Sequence, residues 1–340
     1  MTLFHLRRRT IKALLFTAAT ALAIAPVVAQ GPQFFRIASG SAGGTYFPIS
    51  GLIANAISNP PGSRPCDQGG SCGVPGLIAV AQSSNASVAN VTSVQSGQVE
   101  SGLASADIVY TAFNGEGKFE SQGAFDRLRV IANLFPEDLH LVLPEGETLA
   151  GLADLKGKRV GIAQAGSGTQ VVVLTILEAF GITRDDIEEA ELNNTQSAER
   201  LADGQLDAYF YVAGTPVAAM VQLAATRGMS LYSFSDEERA TILEAVPYYY
   251  ESLIPAGTYE GIAEDISTVG VGAQWVTSSE QPEELVYAIT EALWNDNSRK
   301  LFDSGHPKAA AIQPSTALKG ILTPLHDGAK RFYDEAGLTD

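Results

Sequence analysis

The sequence has few of the side chains that most hydrolases use for catalysis. Only two of its 340 residues are cysteine and four are histidine, one of which, His5, lies in the N-terminal leader described below. No predicted strand-to-helix turn carries a serine nucleophile elbow or the Gly-Lys-Ser/Thr ending of a phosphate-binding loop. A serine hydrolase or a zinc hydrolase is therefore poorly supported. We expect no enzyme activity, no metal and no cofactor.

The chain also lacks an apolar run long enough to cross a membrane after its first 29 residues. Those residues contain Arg7, Arg8, Arg9 and Lys12, a short apolar run over 13–25 and the ending Val-Val-Ala at 27–29. This order is typical of a signal peptide, so we expect cleavage near Ala29 and a mature chain in the periplasm. General secretion is favoured over the twin-arginine route because no preassembled cofactor is indicated.

Basic residues are scarce, with 22 Lys and Arg against 38 Asp and Glu, which gives a net charge of −16. Removal of the leader takes away four positive charges and no acid, so the mature chain carries −20. Nucleic acid and anionic lipid both require basic patches, and neither is expected as a partner. A site that binds an anion can still be locally positive through backbone N–H groups alone.

The two cysteines, Cys66 and Cys72, lie in one glycine-rich loop. In an exported protein this spacing favours a disulfide. A metal site is the alternative, but two thiolates without a nearby histidine fall short of four ligands.

Two turns rich in glycine and hydroxyl groups each lie between a predicted strand and a predicted helix. The first, 39–46, follows a strand at 34–38 and precedes a helix at 47–57. The second, 161–169, follows the strand 158–162 and precedes the helix 169–180. Either turn alone is also compatible with a tight α/β connection. Together they predict two helix N-termini directed at one anionic ligand.

The order of elements predicts an α/β fold with doubly wound sheets. Strands are expected at 77–81, 107–111 and 128–133, with a helix at 84–96 between the first two. The extended segment 139–143 is taken as the crossing into a second lobe, and 267–277 as the return. We therefore predict lobe 1 from residues 30–139 and 268–340, and lobe 2 from residues 140–267. Tyr211, just before the turn at Gly214, is expected to reach the cleft, whereas His140 on an apolar strand is expected to be structural.

With these turns in place the chain resembles the TAXI family of solute receptors, the binding components of TRAP transporters. The matching segments are 38–46 (ASGSAGGTY), 154–160 (DLKGKRV), 166–169 (GSGT), 203–210 (DGQLDAYF), 254–259 (IPAGTY), 282–290 (PEELVYAIT) and 324–329 (PLHDGA). They cover nearly the whole mature chain in order.

The resemblance implies a type II periplasmic binding protein whose two lobes are joined by two hinge strands. It also implies a small carboxylate ligand such as glutamate, glutamine or 2-oxoglutarate, delivered by a monomeric receptor to a TRAP membrane permease. The candidate ligand-binding residues are Ser39, Ser41, Gly44, Thr45, Tyr46, Ser105, Gly166, Ser167, Gly168, Thr169, Tyr211 and Gly214.

One departure from the family concerns Ser105-Ala106, where the family often has Gln-Ser. If this position lines the cleft, loss of the amide should alter ligand choice, because an unmatched polar group in a closed site costs about 1–3 kcal/mol. Two other functions stay open. One is a periplasmic enzyme that uses His140 or Asp107 as a base, and the other is a sensory receptor subunit with no transporter.

Overall fold

The computed structural model describes residues 31–339. The predicted signal peptide and the mature N-terminus at Gln30 lie outside the described residues. Over the described range no helix is both long and apolar enough to cross a membrane.

Twelve strands and ten α-helices make up the described chain. The strands are β1 (Gln33–Ala38), β2 (Ser58–Asn59), β3 (Val74–Pro75), β4 (Leu77–Gln82), β5 (Ser101–Ser105), β6 (Leu128–Leu143), β7 (Arg159–Gly161), β8 (Glu188–Ala190), β9 (Ala208–Ala213), β10 (Ser230–Leu231), β11 (Tyr250–Ile254) and β12 (Ile266–Ser278). The helices are α1 (Tyr46–Ile57), α2 (Ser87–Gln95), α3 (Ala106–Asn114), α4 (Gly168–Ala179), α5 (Asn194–Ala202), α6 (Ala218–Arg227), α7 (Asp236–Ala245), α8 (Glu283–Leu293), α9 (Asp296–Gly305) and α10 (Asp327–Glu335).

Ten of the strands form one curled sheet. Its main path runs β4-β1-β5-β12-β6-β9-β7-β8, with β10 added to β6 and β11 added to β12. The outer strands of each half pair in parallel, whereas β6 and β12 are antiparallel neighbours over most of their length. These two long strands run through both halves. They correspond to the two hinge strands that the sequence predicted between the lobes, and they make the sheet continuous.

The hydrophobic core separates into two groups along the chain. The buried residues of one group come from Phe35 to Phe135 and from Ala273 to Tyr333, and those of the other come from Leu139 to Val271. We call these groups lobe 1 and lobe 2. The predicted two-lobed α/β fold with two strands shared between the lobes is thereby confirmed. The predicted boundaries between the lobes, at residues 139–140 and 267–268, fall inside β6 and near the start of β12. These exact boundaries stay a prediction.

Local sequence explains the helices that border the site. In α1, Ile49, Ile53 and Ile57 recur every four residues, and all three side chains are fully buried. In α4, Ser167 accepts a hydrogen bond from the backbone N–H of Gln170 and so caps the helix. These two helices begin within one residue of the positions at which the glycine turns predicted them to begin.

Two predictions of secondary structure were wrong. Residues 107–111, predicted as a strand, form the first half of α3, and the strand is β5, which precedes it. Apart from Leu103, β5 consists of small residues, and all five residues are fully or almost fully buried, so its pairing with β1 and β12 outweighs its weak strand propensity. The segments 128–133 and 139–143, predicted as two strands, form the single strand β6. Pro136 continues that strand opposite Gly272 instead of breaking it.

Candidate ligand-binding site

A small cavity of about 30 Å³ lies between the lobes, where the N-termini of five helices meet. The residue immediately before each of these helices lines the cavity. These residues are Thr45 of α1, Ala86 of α2, Ser105 of α3, Ser167 of α4 and Asn193 of α5. The first backbone N–H groups of a helix have no partner within it, and the helix dipole is positive at this end. The helix N-termini of both lobes therefore contribute partial positive charge to the cavity.

Two strained backbone positions also border this cavity. Ala86 and Ala163 are the two non-glycine residues with positive φ in the described chain, at 71° and 67°, and both line the cavity. Such a conformation costs roughly 1–3 kcal/mol per residue and persists where the surroundings impose it. Its restriction to the cavity is consistent with a functional site.

Direct hydrogen bonds hold the two lobes together beside the cavity. Thr45 Oγ1 donates to the carbonyl of Gly214 at 2.5 Å, and Asn194 Nδ2 donates to the carbonyl of Gly43 at 3.1 Å. The backbone N–H of Ala89 donates to the carbonyl of Gly166 at 3.0 Å. The structure is thus a closed form, in which lobe 1 and lobe 2 contact each other around the cavity.

Two glycines permit this closure. A Cβ on Gly44 in lobe 1 would collide with Tyr211 Oη in lobe 2. A Cβ on Gly168 in lobe 2 would lie 2.9 Å from Ser105 Oγ and 3.0 Å from Ser87 Oγ in lobe 1, closer than side chains pack. Both glycines are therefore required by close approach between the lobes.

The cavity contains one carboxyl group, that of Glu137 on β6. Its side chain is 2 % exposed, and Tyr46 Oη donates to Glu137 Oε2 at 2.6 Å. Burial raises the pKa of Glu137 to about 8 because the ionised form loses its hydration, and the charge of Asp107 adds to the rise. The hydrogen bond from Tyr46 and the charge of Lys308 oppose it. Burial likewise raises the pKa of Asp107, at the start of α3.

A second polar network lies beside Glu137 and outside the cavity lining. Asp138 accepts hydrogen bonds from Thr215 Oγ1 at 2.8 Å and Ser252 Oγ at 2.6 Å, with Lys308 Nζ at 3.9 Å. These partners satisfy the buried Asp138 carboxylate within the protein. The network therefore joins β6 to elements of both lobes and needs no ligand.

His140 belongs to the same buried region and is structural in its contacts. Its Nδ1 lies 2.9 Å from the carbonyl of Asp138, and its Nε2 lies 3.0 Å from Tyr259 Oη. Tyr259 Oη accepts from the backbone N–H of Val217, so its own proton is free to point to Nε2, and the Nδ1–H then donates to Asp138. Burial lowers the pKa of His140, which favours this neutral tautomer.

The structure brings together most of the residues that the sequence singled out. Those that line the cavity are Ser41, Gly44, Thr45, Tyr46, Ser105, Ser167, Gly168, Thr169 and Tyr211. Thr169 Oγ1 accepts a hydrogen bond from the backbone N–H of Val212, and its own proton can still be donated to a carboxylate in the cavity.

Three of the candidate residues do not line the cavity. Their polar groups have partners within the protein. Ser39 Oγ donates to the carbonyl of Ile37 at 2.9 Å, and Ser39 is fully buried. Gly166 and Gly214 contribute their carbonyls to the contacts between the lobes described above. These three positions support the site's shape.

Sequence reasoning missed Glu137, Gln164, Ser87 and Asn193, which also line the cavity. Asn193 and Gln196 form a capping box at the start of α5, a pattern that is readable from the sequence. Glu137 had a weaker signal, which was the occurrence of two adjacent acids within an apolar stretch. Because proline precedes them, the same residues also look like a turn.

The cysteine loop is separate from this cavity. Cys66 and Cys72 are joined by a disulfide, and neither lines the cavity. Residues 69–73 have the Gly-x-Ser-x-Gly spacing of a nucleophile elbow. However, Ser71 Oγ donates to the carbonyl of Ser58, and the loop follows a short 3-10 turn and not a buried strand. Across residues 31–339 no group of three or more His, Cys, Asp or Glu side chains could hold a metal ion.

Two solved structures and one family model are similar to this chain. A solved protein from Bordetella bronchiseptica RB50 is 14% identical, with a TM-score of 0.50 over 90% of this chain and 82% of that one. The alkanesulfonate-binding protein SsuA from Xanthomonas axonopodis pv. citri, solved with MOPS bound, is 17% identical, with a TM-score of 0.46 over 91% and 93% of the two chains. The family model that matches residues 37–337 is that of the NMT1-like family. The match covers most of the sequence, and the chain belongs to the NMT1-like family.

Proposed function

We propose that the protein is an exported solute-binding receptor that captures a small carboxylate between its lobes and delivers it to a membrane transporter. The observation that carries this proposal is that one cavity is lined by the residues preceding five helices, three from lobe 1 and two from lobe 2. Only the closed form brings all five N-termini to one solute. A bound carboxylate would therefore shift the population toward closure.

The transporter in this proposal is a TRAP permease, and the receptor acts as a monomer in the periplasm. This finer assignment is supported by the seven TAXI-like segments of the sequence, two of which, 38–46 and 166–169, form turns at the cavity. Glutamate, glutamine and 2-oxoglutarate are the solutes that the resemblance suggests. Uptake of a labelled solute into proteoliposomes that contain the permease should require this protein and an ion gradient.

An enzyme on the same fold has less support from the geometry. The two bases that the sequence offered, His140 and Asp107, do not line the cavity. His140 is hydrogen-bonded on both ring nitrogens, to Asp138 and Tyr259. Incubation of the protein with a bound solute, followed by NMR of the solute, should return it unchanged. Conversion that the purified protein catalyses would overturn the proposal.

The first experiment is thermal unfolding of the mature protein against a panel of amino acids and dicarboxylates. A solute at about 1,000 times its dissociation constant should stabilise the fold by about 4 kcal/mol. For a domain of this size this corresponds to an increase of several degrees in the unfolding temperature. The protein should first be unfolded and refolded to remove retained solute. A flat response over the whole panel would contradict the assignment to small carboxylates.

Two variants test whether the cavity is the site. Ser41→Ala and Thr169→Ala together remove one hydroxyl from each lobe's lining, so affinity for the solute found in the panel should fall. Because Thr169 also supports Val212, the change in unfolding temperature without solute must be measured and subtracted. Thr175→Val is the matched control, since its hydroxyl donates within α4 to the carbonyl of Val171. Unchanged affinity in the double variant would place binding elsewhere.

A further inference from the structure

A lysine of lobe 1 extends toward lobe 2 outside the cavity. Lys308 belongs to the short 3-10 turn Pro307–Ala311, and its neighbours Ala309 and Ile312 are fully buried in the lobe 1 core. The Arg299 guanidinium donates to the carbonyl of Ile312 at 2.6 Å. The backbone at Lys308 is therefore fixed to lobe 1.

The aliphatic part of Lys308 packs against a turn of lobe 2. A Cβ on Gly214 would lie 2.9 Å from Lys308 Cγ and 3.0 Å from Lys308 Cε, closer than side chains pack. Lys308 Nζ donates to Thr215 Oγ1 at 3.4 Å. The same turn is bonded at the cavity, where Thr45 Oγ1 donates to the carbonyl of Gly214. Two residues of lobe 1 thus contact the Gly214-Thr215 turn, Thr45 in the cavity lining and Lys308 outside it.

The charge of Lys308 is paired across the lobes. Lys308 Nζ lies 3.9 Å from Asp138 Oδ2, and the two side chains are 11 % and 4 % exposed. The Asp138 carboxylate is held by lobe 2, because it accepts hydrogen bonds from Thr215 Oγ1 and Ser252 Oγ. The ion pair therefore joins a cation fixed to lobe 1 to an anion bonded to lobe 2, largely out of water.

Opening of the lobes would separate this ion pair. Burial lowers the pKa of Lys308 because the charged form loses its hydration, and the charges of Asp138 and Glu137 oppose this change. In a closed form without the Lys308 charge, the Asp138 carboxylate would stay buried without a cation, which is a costly arrangement. In the open form water can reach the carboxylate. Removal of the lysine charge should therefore destabilise the closed form more than the open form.

We propose that Lys308 is a positioning residue for solute capture, which closes on the Gly214-Thr215 turn, pairs with Asp138 and so holds the lobes together around a solute that it does not touch. It acts on the cavity through this turn, whose Gly214 carbonyl binds Thr45. The inference rests on the proposed function only in that closure captures a solute. The effect of the ion pair on closure does not depend on which solute is bound.

A disulfide between the lobes can measure closure without any solute. A Cβ on Gly43 in lobe 1 would lie 3.6 Å from Thr195 Cβ in lobe 2, which is within the range of a disulfide. Neither position lines the cavity. In the variant with Gly43→Cys and Thr195→Cys the cross-lobe disulfide can form only when the lobes meet, and peptide mapping distinguishes it from the native Cys66–Cys72 bond. When the lobes open and close faster than the thiols oxidise, its rate of formation is proportional to the closed fraction.

The test compares this rate among variants of the dialysed, solute-free protein. Lys308→Met should slow formation of the cross-lobe disulfide by at least about 10-fold, because it leaves a buried charge unpaired. Lys308→Arg keeps the charge and should retain more of the rate than Lys308→Met. Lys300→Met, at an exposed lysine on α9 of lobe 1, is the matched control and should leave the rate unchanged.

A double-mutant cycle separates the ion pair from general damage to the fold. Asp138→Asn should also slow formation of the cross-lobe disulfide, so it tests the same prediction if Lys308→Met does not fold. With Lys308→Met and Asp138→Asn together, neither charge is left unpaired. The relative rate should then exceed the product of the two single relative rates by at least about 3-fold. Strictly multiplicative effects would overturn the role of the ion pair.

The same disulfide distinguishes this inference from the proposed function. L-Glutamate, L-glutamine and 2-oxoglutarate are the probes, and we expect at least one to accelerate disulfide formation, because a solute bound by both lobes raises the closed fraction. If none does so, the assignment to these carboxylates fails, and the comparison of solute-free variants still tests Lys308. Equal solute-free rates in Lys308→Met and Lys300→Met would overturn the role of Lys308 and leave the proposed function intact.

Discussion

Both lobes present helix N-termini to the same cavity, but the helices of lobe 2 are capped by side chains and those of lobe 1 are not. In lobe 2, Ser167 caps α4 through the N–H of Gln170, and Asn193 caps α5 through the N–H of Gln196. In lobe 1, none of the residues before α1, α2 and α3 makes such a bond with its side chain. Lobe 2 thus satisfies part of its own N–H groups, whereas lobe 1 leaves more of them for a ligand.

This difference suggests an order of binding. A carboxylate gains most where unsatisfied N–H groups are most numerous, so it should first bind lobe 1 of an open form. Lobe 2 then contributes the contacts that close the cavity. Two of these are hydrogen bonds to lobe 1: the carbonyl of Gly214 accepts from Thr45, and the side chain of Asn194 donates to Gly43. In this view lobe 1 supplies affinity for the anion and lobe 2 supplies closure.

Glu137, on the strand shared by both lobes, should give the largest effect. Burial raises its pKa from 4.5 to about 8, so the ligand-free folded protein binds more protons than the unfolded chain between these values. Its contribution to stability is full below about pH 4.5 and is lost as the pH rises through 8. We expect the free energy of unfolding to fall by up to about 1.4 kcal/mol per pH unit across that window.

Urea unfolding between pH 5 and 8.5 measures this slope in the wild-type protein, in Glu137→Gln and in Glu237→Gln, a control at an exposed carboxyl on α7. The slope should be smaller in Glu137→Gln alone. The titratable groups around Glu137 are Tyr46, Asp107, Asp138, Lys308, Tyr211, Tyr249 and Tyr250. They are present in all three proteins, so an equal slope in Glu137→Gln would assign the pH dependence to them.

Closure itself can be blocked from lobe 1. In Gly44→Ala the new methyl group would collide with Tyr211 Oη of lobe 2. Overpacking of this kind costs about 1–3 kcal/mol, and if the cost is restricted to the closed form it weakens solute binding by about 5- to 150-fold. Gly51→Ala in α1 is the control, because its Cβ would have no heavy atom within 4 Å. Equal affinities in the two variants would mean that the solute does not require the closed form.

The difference in capping predicts different phenotypes for two serines. Ser167→Ala removes the cap of α4 and should lower the free energy of unfolding by about 0.5–2 kcal/mol. Ser105→Ala removes no side-chain cap from α3, so it should lower stability less and affinity more. Thermal unfolding with and without solute separates the two quantities. If both variants lose the same stability and the same affinity, the proposed division between the lobes is wrong.

The sequence predicted the parts of this site that local chemistry determines. A glycine- and hydroxyl-rich turn between a strand and a helix is recognisable without its neighbours, so Thr45, Ser167 and Gly168 were identified. Glu137 was not, because its burial depends on the pairing of β6 with β12, which contains two register shifts close to Ala273 and Trp275. Such pairing is non-local, and the Pro-Glu-Asp sequence by itself favours a turn.

The same limit explains the exchange of β5 and α3. Ile108, Val109 and Tyr110 have strand propensity, yet they lie in a helix whose face contributes buried residues to the lobe 1 core. The strand is formed mostly by small residues, including Gly102, and it has β1 on one side and β12 on the other. Propensity was outweighed by packing that only the assembled sheet provides. The position of Ser105 at the cavity follows from that packing.

The smallest expected effect concerns the hydrogen bond between Thr45 and Gly214. Thr45→Val keeps the shape of the side chain and removes the hydroxyl that donates across the lobes. A single hydrogen bond contributes about 0.5–1.5 kcal/mol, so affinity should fall by about 2- to 12-fold. Thr175→Val, which removes a hydroxyl bonded inside α4, should leave affinity unchanged.

The hydrogen bond between Thr45 and Gly214 exists only when the lobes meet, so Thr45→Val should leave the open form unaffected. Small-angle scattering without solute should therefore show a larger fraction of open molecules for Thr45→Val. An affinity equal to that of the control would mean that Gly214 contributes nothing to closure, and the role of lobe 2 would then rest on Asn194 and Gly166.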